Sequence, residues 1–487
     1  MDFCDRIQAT LDARPQGRAL EYGGRWYTWA DVKRIGAELD AIIARTGAPA
    51  DARVGVVVRN RAIHAAVLLS LLARRISISL IYAFQSPELL AAEVGKLALP
   101  LIVADLEDWP MITAAARDVG SAGIVLDGME KPLTLRPGLE RATAPAKPLD
   151  GEPGVEVLSS GTTGAPKRLP MPFRMLNRAV MSAPSAFAGT ELPVQINIWP
   201  FGGVGGICLL TGSGATGAPL SIIEKFSAQE LAASARRNKP QILGLSPTAV
   251  RMILDADIPK EDFASVTAVF GGSARLDPDL QDRFEEKYGI LIHWGMGATE
   301  FCGTVVSWHP ALREKFGNTK RGSVGKPMPG VDLRVVHPET GAVLGSDQEG
   351  LLEVLCPEIR PDWVRTTDLA TIDADGFVFH IGRNDGAIVR GGFKILPERV
   401  AEVIRAHPSV GDAVVVGLDD PRLGAVPVAA VELRPGASPV TPEELDALIR
   451  KSLPAPQVPV KIIIVPALPR TPSLKVSLGD VRKMFAA

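Results

Sequence analysis

The nine residues Ser159-Ser160-Gly161-Thr162-Thr163-Gly164-Ala165-Pro166-Lys167 gather hydroxyls, two glycines and one ammonium in one short stretch. The glycines let the backbone bend so that successive N–H groups face one concavity, and the hydroxyls and ammonium add donors for a polyanion. Val155-Glu156-Val157-Leu158, just upstream, reads as a strand, so the loop would leave a sheet edge where phosphate sites form. A Walker loop would end in Gly-Lys followed by Ser or Thr. Here Lys167 follows Pro166 and precedes Arg168, which excludes that reading. Taken alone, the stretch also fits a flexible surface turn.

Further clusters carry chemically useful side chains. Trp294-Gly295-Met296-Gly297-Ala298-Thr299-Glu300 follows an apolar run, and a strand entering a Gly-rich turn would leave a hydroxyl and a carboxylate at its exit. Thr299 can donate to a phosphate oxygen and Glu300 can hold Mg²⁺, although the pair also fits a capped helix start. In Arg365-Thr366-Thr367-Asp368-Leu369 an acid stands where a strand gives way to a loop. Asp368 can accept both hydroxyls of a ribose or close a turn on its own backbone. Gly382-Arg383-Asn384-Asp385-Gly386 and Arg390-Gly391-Gly392-Phe393-Lys394 read as a turn-rich domain junction. Near the end, Pro469-Arg470-Thr471-Pro472-Ser473-Leu474-Lys475-Val476 places Lys475 on a Pro-flanked loop, by itself an ordinary solvated charge.

At 487 residues the chain exceeds one ordinary core and divides into roughly three units. Short apolar strands alternate with amphipathic helices: a strand at 54–58, a helix at 62–72, strands at 101–103 and 123–126. This alternation predicts an α/β fold of layered, mostly parallel sheets. Further strands are expected at 195–198, 220–223, 242–245 and 268–270. From about residue 322 the segments shorten to strands at 333–336, 350–355 and 376–380, a β-rich subdomain over 322–384. A compact α+β end domain follows, with helices at 397–405 and 441–452 and strands at 413–418 and 461–465. The expected division is a large N-terminal domain, 1–384, and a small C-terminal domain, 385–487.

Composition removes several classes of function. A hydrophobic content of 46% is ample for burial, and a net charge of −2 gives no footprint for nucleic acid or a membrane surface. Cys4, Cys208, Cys302 and Cys356 lie far apart without metal-type spacing, as reduced thiols do. The N-terminus is acidic and lacks a signal-type apolar run. The most lipophilic tract ends at Arg74-Arg75, too short to span a bilayer. A cytoplasmic protein without a membrane anchor is the expectation.

In this order the clusters resemble the acyl-adenylate-forming superfamily, which includes acyl-CoA synthetases, firefly-type luciferases and peptide-synthetase adenylation domains. The resemblance extends to Tyr27-Thr28-Trp29-Ala30-Asp31-Val32 and to the pocket segment Gly271-Gly272-Ser273-Ala274. Matches that keep their order from residue 27 to residue 475 are far more specific than any one alone. The resemblance implies two steps: a carboxylate attacks the α-phosphate of ATP to give acyl-AMP and pyrophosphate, then a thiol takes the acyl group. It implies ATP, Mg²⁺ and CoA as cofactors and a small carboxylic acid as substrate, without nucleic acid; a homodimer is left open.

By position, Ser159, Ser160, Gly161, Thr162, Thr163, Gly164 and Lys167 would hold the β- and γ-phosphates. Gly272, Ser273, Ala274, Trp294, Gly295, Met296 and Gly297 would border the nucleotide. Thr299 would touch the α-phosphate, Glu300 would hold Mg²⁺, Asp368 would bind the ribose, and Arg383 would support it. Lys475 matches the adenylation lysine, carried on a mobile C-terminal domain that turns about Asp385. After that rotation Gly391, Gly392 and Phe393 would face the acyl-AMP and leave a tunnel for pantetheine. Phe201, Gly202, Gly203, Gly271 and Gly297 would line the acid pocket.

The chain departs from the family pattern at several positions. Met296 stands where many relatives carry tyrosine, leaving adenine to Trp294 or to apolar contact. Arg168, Thr367 and Leu474 each replace a glycine; Arg168 would add charge near the phosphates or point into solvent. Gly202 and Gly203 replace an aromatic residue and a histidine beside the acyl channel. A wider channel and a bulky aromatic or carbocyclic acid follow, unless another side chain fills the gap. A stand-alone adenylation enzyme loading a carrier protein is the alternative. No aspartate occurs in residues 196–201 to pair with a substrate ammonium, which favours a non-amino acid. A non-catalytic nucleotide binder would have lost Glu300 or Lys475, and both are present.

Overall fold

The computed structural model describes residues 1–149, 151–158, 168–181, 192–317, 319–390 and 393–485. Five consecutive buried residues form the strand Val54–Val58, which leads into the helix Ala62–Ala73. Every residue of that helix from Ala62 to Leu72 is buried, the pattern of a helix sandwiched between layers. Around this unit lies a seven-stranded sheet in the order Thr134–Leu135, Ala122–Leu126, Leu101–Asp105, Val54–Val58, Ile78–Tyr82, Gly154–Leu158, Arg168–Pro172. The five inner strands run parallel and the two outer ones antiparallel.

A second sheet sets Ile242–Leu245, Ala268–Gly271 and Leu291–Ala298 parallel, then adds Gly303–Ser307 and Lys326–Pro327 antiparallel. A smaller sheet joins Gln195–Asn197, Leu220–Ile222, Arg18–Tyr22 and Arg25–Thr28. The Tyr27-Thr28-Trp29 segment has a plain structural duty here. Thr28 and Asp31 form a reciprocal capping box that starts the helix Trp29–Thr46.

The β-rich stretch is an antiparallel sheet of Asp332–Val336, Gly350–Cys356, Arg360–Ile372 and Val378–Arg383. One continuous core runs from Phe3 to Val378 through all of these layers. A second core begins at Ile388 and ends at Ile462. It lies under a sheet of Phe393–Ile395, Ile388–Arg390, Gly424–Leu433 and Val410–Asp420, with Lys461–Val465 beside Gly424–Leu433. The helices Pro397–Arg405 and Pro442–Ser452 cover it. The α/β layers, the β-rich sheet and the α+β end unit match the architecture expected of the sequence. Among the described residues no helix is long and apolar enough to cross a membrane.

Two local expectations need correction. The glycines at 295 and 297 do not make a turn; the strand Leu291–Ala298 runs straight through them. A Cβ on Gly297 would lie 2.2 Å from Gly303 O on the facing strand, so glycine there permits close pairing. Asp368 likewise sits inside the 13-residue strand Arg360–Ile372, not at its exit, because irregular pairings let that strand bend and continue. The strand Ile78–Tyr82 was not among the expected elements.

Gly271 is held by its surroundings. A Cβ there would stand 2.1 Å from Trp294 Cζ3 and 2.4 Å from Leu245 O, a rigid ring and a backbone atom. Gly271→Ala is therefore expected to destabilise the large domain by ~1–3 kcal/mol through overpacking, read as a lower midpoint in urea unfolding.

Candidate active site

Residues 159–167, the expected phosphate cradle, lie outside the described residues, as do Gly391 and Gly392. The strands that enter and leave the cradle are described, and they pair antiparallel with Leu158 opposite Arg168. The expectation that Arg168 points into solvent does not hold. Its guanidinium turns back into the sheet, donating to Glu156 Oε2 at 3.1 Å and to Leu80 O at 3.3 Å, and pairing with Glu93. Glu156 also meets Arg53 and accepts from Ser79, so Arg168 closes a mostly buried polar network beneath the loop.

The strand Arg168–Pro172 packs against the 3₁₀ turn Thr299–Phe301, which places Thr299 and Glu300 beside the end of the cradle. Thr299 is half-buried and Glu300 exposed, and no ion pair engages the Glu300 carboxylate among the described residues. Cys302, in the left-handed region at φ 51°, closes the turn. Its thiol is buried, 3.7 Å from Cys208 Sγ, so this cysteine packs. Contact with Cys302 and burial push the Cys208 thiol well up.

In the antiparallel sheet Asp368 lies opposite Arg383. His380 Nε2 sits 3.1 Å from Asp368 Oδ1, a partner the sequence analysis missed because it faces Asp368 only across a strand pair. Thr367 needs no glycine-like backbone, having no positive φ. Its carbonyl accepts from Asn384 N at 2.7 Å, and its hydroxyl accepts from Arg383 Nη2 at 2.9 Å. Arg383 also forks onto Asp385, Nε to Oδ1 at 2.9 Å and Nη2 to Oδ2 at 2.6 Å.

Lys475 is mostly buried, and no carboxylate pairs with its ammonium among the described residues. Burial, and next the nearby Arg383, push its pKa down. The loop that carries it is docked on the large domain. Thr248 donates to Leu474 O at 3.0 Å and accepts from Arg470 at 3.1 Å, while the Leu474 side chain packs against the large core. Leu474 adopts φ 63°, so the glycine-type backbone survives the substitution at some strain, and the side chain serves as an anchor. The loop is closed on itself by Thr471 N donating to Lys475 O at 2.7 Å. Phe393, by contrast, is 63% exposed.

The remaining pocket residues divide. Gly271 and Gly272 lie behind the ring and backbone of residues 294–295: a Cβ on Gly272 would meet Gly295 O at 2.9 Å. Ser273 is exposed at φ 75° and Ala274 is exposed. Trp294 is 3% exposed, and its Nε1 donates to Ala274 O at 3.1 Å; its ring shapes the 271–274 segment rather than offering an open face. Met296, half-buried two residues on, is the side chain left for an apolar contact. Phe201, expected in the acid pocket, is 1% exposed in the large core, because Asn60 Oδ1 holds its amide at 2.9 Å and turns its ring inward. Gly202 and Gly203 face Tyr82, which the sequence analysis did not single out: a Cβ on Gly202 would lie 2.9 Å from its ring.

A layered α/β domain with Thr299 and Glu300 at a strand exit, Asp368 within the β-rich sheet, and Lys475 brought in on a loop of a small α+β unit defines a nucleotide-activating enzyme class. The chain belongs to the AMP-binding enzymes: that family's model matches residues 7–358, and that of the AMP-binding enzyme C-terminal domain matches residues 399–475. A similar curated protein is 4-coumarate–CoA ligase-like 2 of Arabidopsis thaliana, 27% identical over 350 residues, 67% of this chain and 60% of that protein. The chain thus spans about three fifths of that relative's length. The fold is that of ATP-bound MatB from Rhodopseudomonas palustris, TM-score 0.83 at 22% identity over 100% of this chain and 99% of that one. It is also that of a benzoate CoA ligase from Burkholderia xenovorans LB400, TM-score 0.80 at 19% identity over 99% and 100%.

The lowered pKa of Lys475 gives a pH dependence with a definite sign. An ordinary lysine titrates near ~10.4, and kcat/KM reports the free enzyme's groups. The kcat/KM for pyrophosphate release should fall on the alkaline side with a midpoint below the usual lysine range, and in Lys475→Arg that limb should move to higher pH. In the unliganded protein the charged form is the disfavoured one, so stability from this group rises with pH. Lys475→Met should leave the unliganded protein at least as stable at neutral pH, measured by thermal unfolding.

Proposed function

We propose that this chain is an ATP-dependent acid–CoA ligase that converts a ring-bearing carboxylic acid into acyl-AMP and pyrophosphate, then into acyl-CoA and AMP. The observation that carries the reading is Lys475, mostly buried beside Arg383 with no carboxylate partner among the described residues. An ammonium with no carboxylate partner among the described residues, set beside the Asp385-paired Arg383, suits an anion that is bound only during turnover, and a group shifted by burial and a neighbouring charge marks a functional-site candidate.

The roles follow the placement. Lys475 bridges the incoming carboxylate and the α-phosphate, where negative charge develops in the transition state. Thr299 donates to the same phosphate, and residues 159–167 hold the pyrophosphate that leaves. Asp368, steadied by His380, takes the ribose hydroxyls, and Met296 supplies an apolar contact for adenine. The unengaged Glu300 carboxylate fits a Mg²⁺ held mainly by phosphate oxygens, the usual habit of that ion. The ion would neutralise phosphate charge.

The domains are taken as 1–384 and 385–487, hinged at Asp385. The Arg383–Asp385 fork would hold the present orientation, with Lys475 docked. The exposed Phe393 is suited to a face that is used after rotation, when residues 391–393 would form the pantetheine tunnel. A cytoplasmic location, without nucleic-acid partners, goes with this reading.

For the acid, the gap left by Gly202 and Gly203 is partly taken by Tyr82, so the channel is not simply wide. Trp199 packs on Gly205, 3.4 Å from the Cβ position there, on the same glycine run. Two aromatic rings beside small residues favour a flat ring as ligand. The names of 4-coumarate–CoA and benzoate CoA ligases among similar proteins point the same way.

Pyrophosphate release across a panel of carboxylic acids, with and without CoA, tests the reading. Ring-bearing acids are expected to be turned over well above acetate, with acyl-CoA formed from free CoA. Comparable turnover of acetate would refute the ring preference, and product formed only with an added carrier protein would refute CoA as acceptor.

A further inference from the structure

The strand Ile78–Tyr82 lies between Val54–Val58 and Gly154–Leu158, parallel to both. Its last residue, Tyr82, therefore comes out at the same edge of the sheet from which residues 159–167 depart. Ligands of open parallel sheets sit beyond that carboxyl edge.

Tyr82 supplies from this strand the bulk that Gly202 and Gly203 lack. A Cβ on Gly202 would lie 2.9 Å from Tyr82 Cε1 and 3.1 Å from Cζ, and one on Gly203 would lie 3.2 Å from Oη. The phenol is thus laid along the glycine pair, ring over the first and hydroxyl at the second. Any side chain at 202 would displace the ring.

No described residue hydrogen-bonds the Tyr82 hydroxyl, although the ring is largely buried. Burial alone pushes the phenol up to about 12, so it stays protonated and able to donate at neutral pH. A donor with no acceptor among the described residues is free to pair with an acceptor carried on a bound ligand. On the other side of the glycine run stands Trp199, whose Nε1 is 3.2 Å from the Cβ position of Gly244. Gly244 belongs to the strand paired with Ala268–Gly271, so Trp199 reaches from the glycine run to the second sheet.

We infer that the Tyr82 hydroxyl is a specificity-determining donor for the acid. It hydrogen-bonds a hydroxyl, carbonyl or carboxylate oxygen carried on the substrate ring away from the reacting carboxylate. The inference rests on the proposed reading of Gly202 and Gly203 as the wall of the acid channel. A site built around a polar substituent rejects the analogue that lacks it, because its own donor is then left unpaired.

The test measures kcat and KM by pyrophosphate release for pairs of ring acids with and without such an oxygen, in the native protein and in Tyr82→Phe. The native protein should favour the oxygen-bearing acid about tenfold to a hundredfold in kcat/KM. Tyr82→Phe keeps the ring over Gly202 and should shrink that ratio to near one, chiefly through KM of the oxygen-bearing acid. An unchanged ratio, or equal losses for both acids, would overturn the assignment and leave Tyr82 as packing. If the native protein turns over an open-chain acid and no ring acid, the channel reading itself fails, and Tyr82's role with it; that outcome is visible without any variant.

Discussion

A mostly buried ammonium with no carboxylate partner among the described residues is the constraint on which the proposed site depends. Lys475 is desolvated and sits within the field of Arg383, and both effects oppose its charge. No carboxylate among the described residues offsets that cost, so the docked loop is held by other contacts. Those contacts are Thr248 to Leu474 O, Arg470 to Thr248, and the Leu474 side chain on the large core. On the proposed reading, removing water and withholding a carboxylate would leave the cation's field free for a phosphate and a carboxylate that arrive together.

Glycine and aromatic pairs do much of the shaping around this centre. Trp294 presses on Gly271, Tyr82 on Gly202 and Trp199 on Gly205. At Gly271 and Gly202 a ring from one element occupies the space of an absent side chain on another, while at Gly205 the ring lies at ordinary contact distance. The pocket's outline is therefore set by tertiary pairs, and a glycine in it is not by itself a void. The cradle's supports follow the same logic, with Arg53, Glu93, Glu156 and Arg168 tying the strands beneath it into one network.

The strands at 54–58 and 242–245, the helix at 397–405 and the strand at 461–465 were legible because continuous apolar runs or helical periodicity mark them. The strand Ile78–Tyr82 was not, since Ile76-Ser77-Ile78-Ser79 directly follows a long buried helix and carries no turn signal of its own. Its omission hid Tyr82. The Gly-Met-Gly segment was misjudged as a turn because composition cannot distinguish a glycine that bends from one that admits a neighbouring strand. Arg168 was misplaced for a similar reason: its partners Glu93 and Glu156 converge only in the folded sheet. His380 becomes a partner of Asp368 only through strand pairing. What sequence order conveyed was the family and its layered α/β architecture; what it lacked was which large side chain fills which small one's place.

The central claim is that one lysine, docked now and withdrawn later, serves the first half-reaction alone. Its most direct test is to measure the two half-reactions separately in Lys475→Ala. Acyl-AMP formation should fall by several orders of magnitude, as for loss of a transition-state cation, while thioester formation from supplied acyl-AMP and CoA should persist near the native rate. Equal losses in both half-reactions would contradict the account.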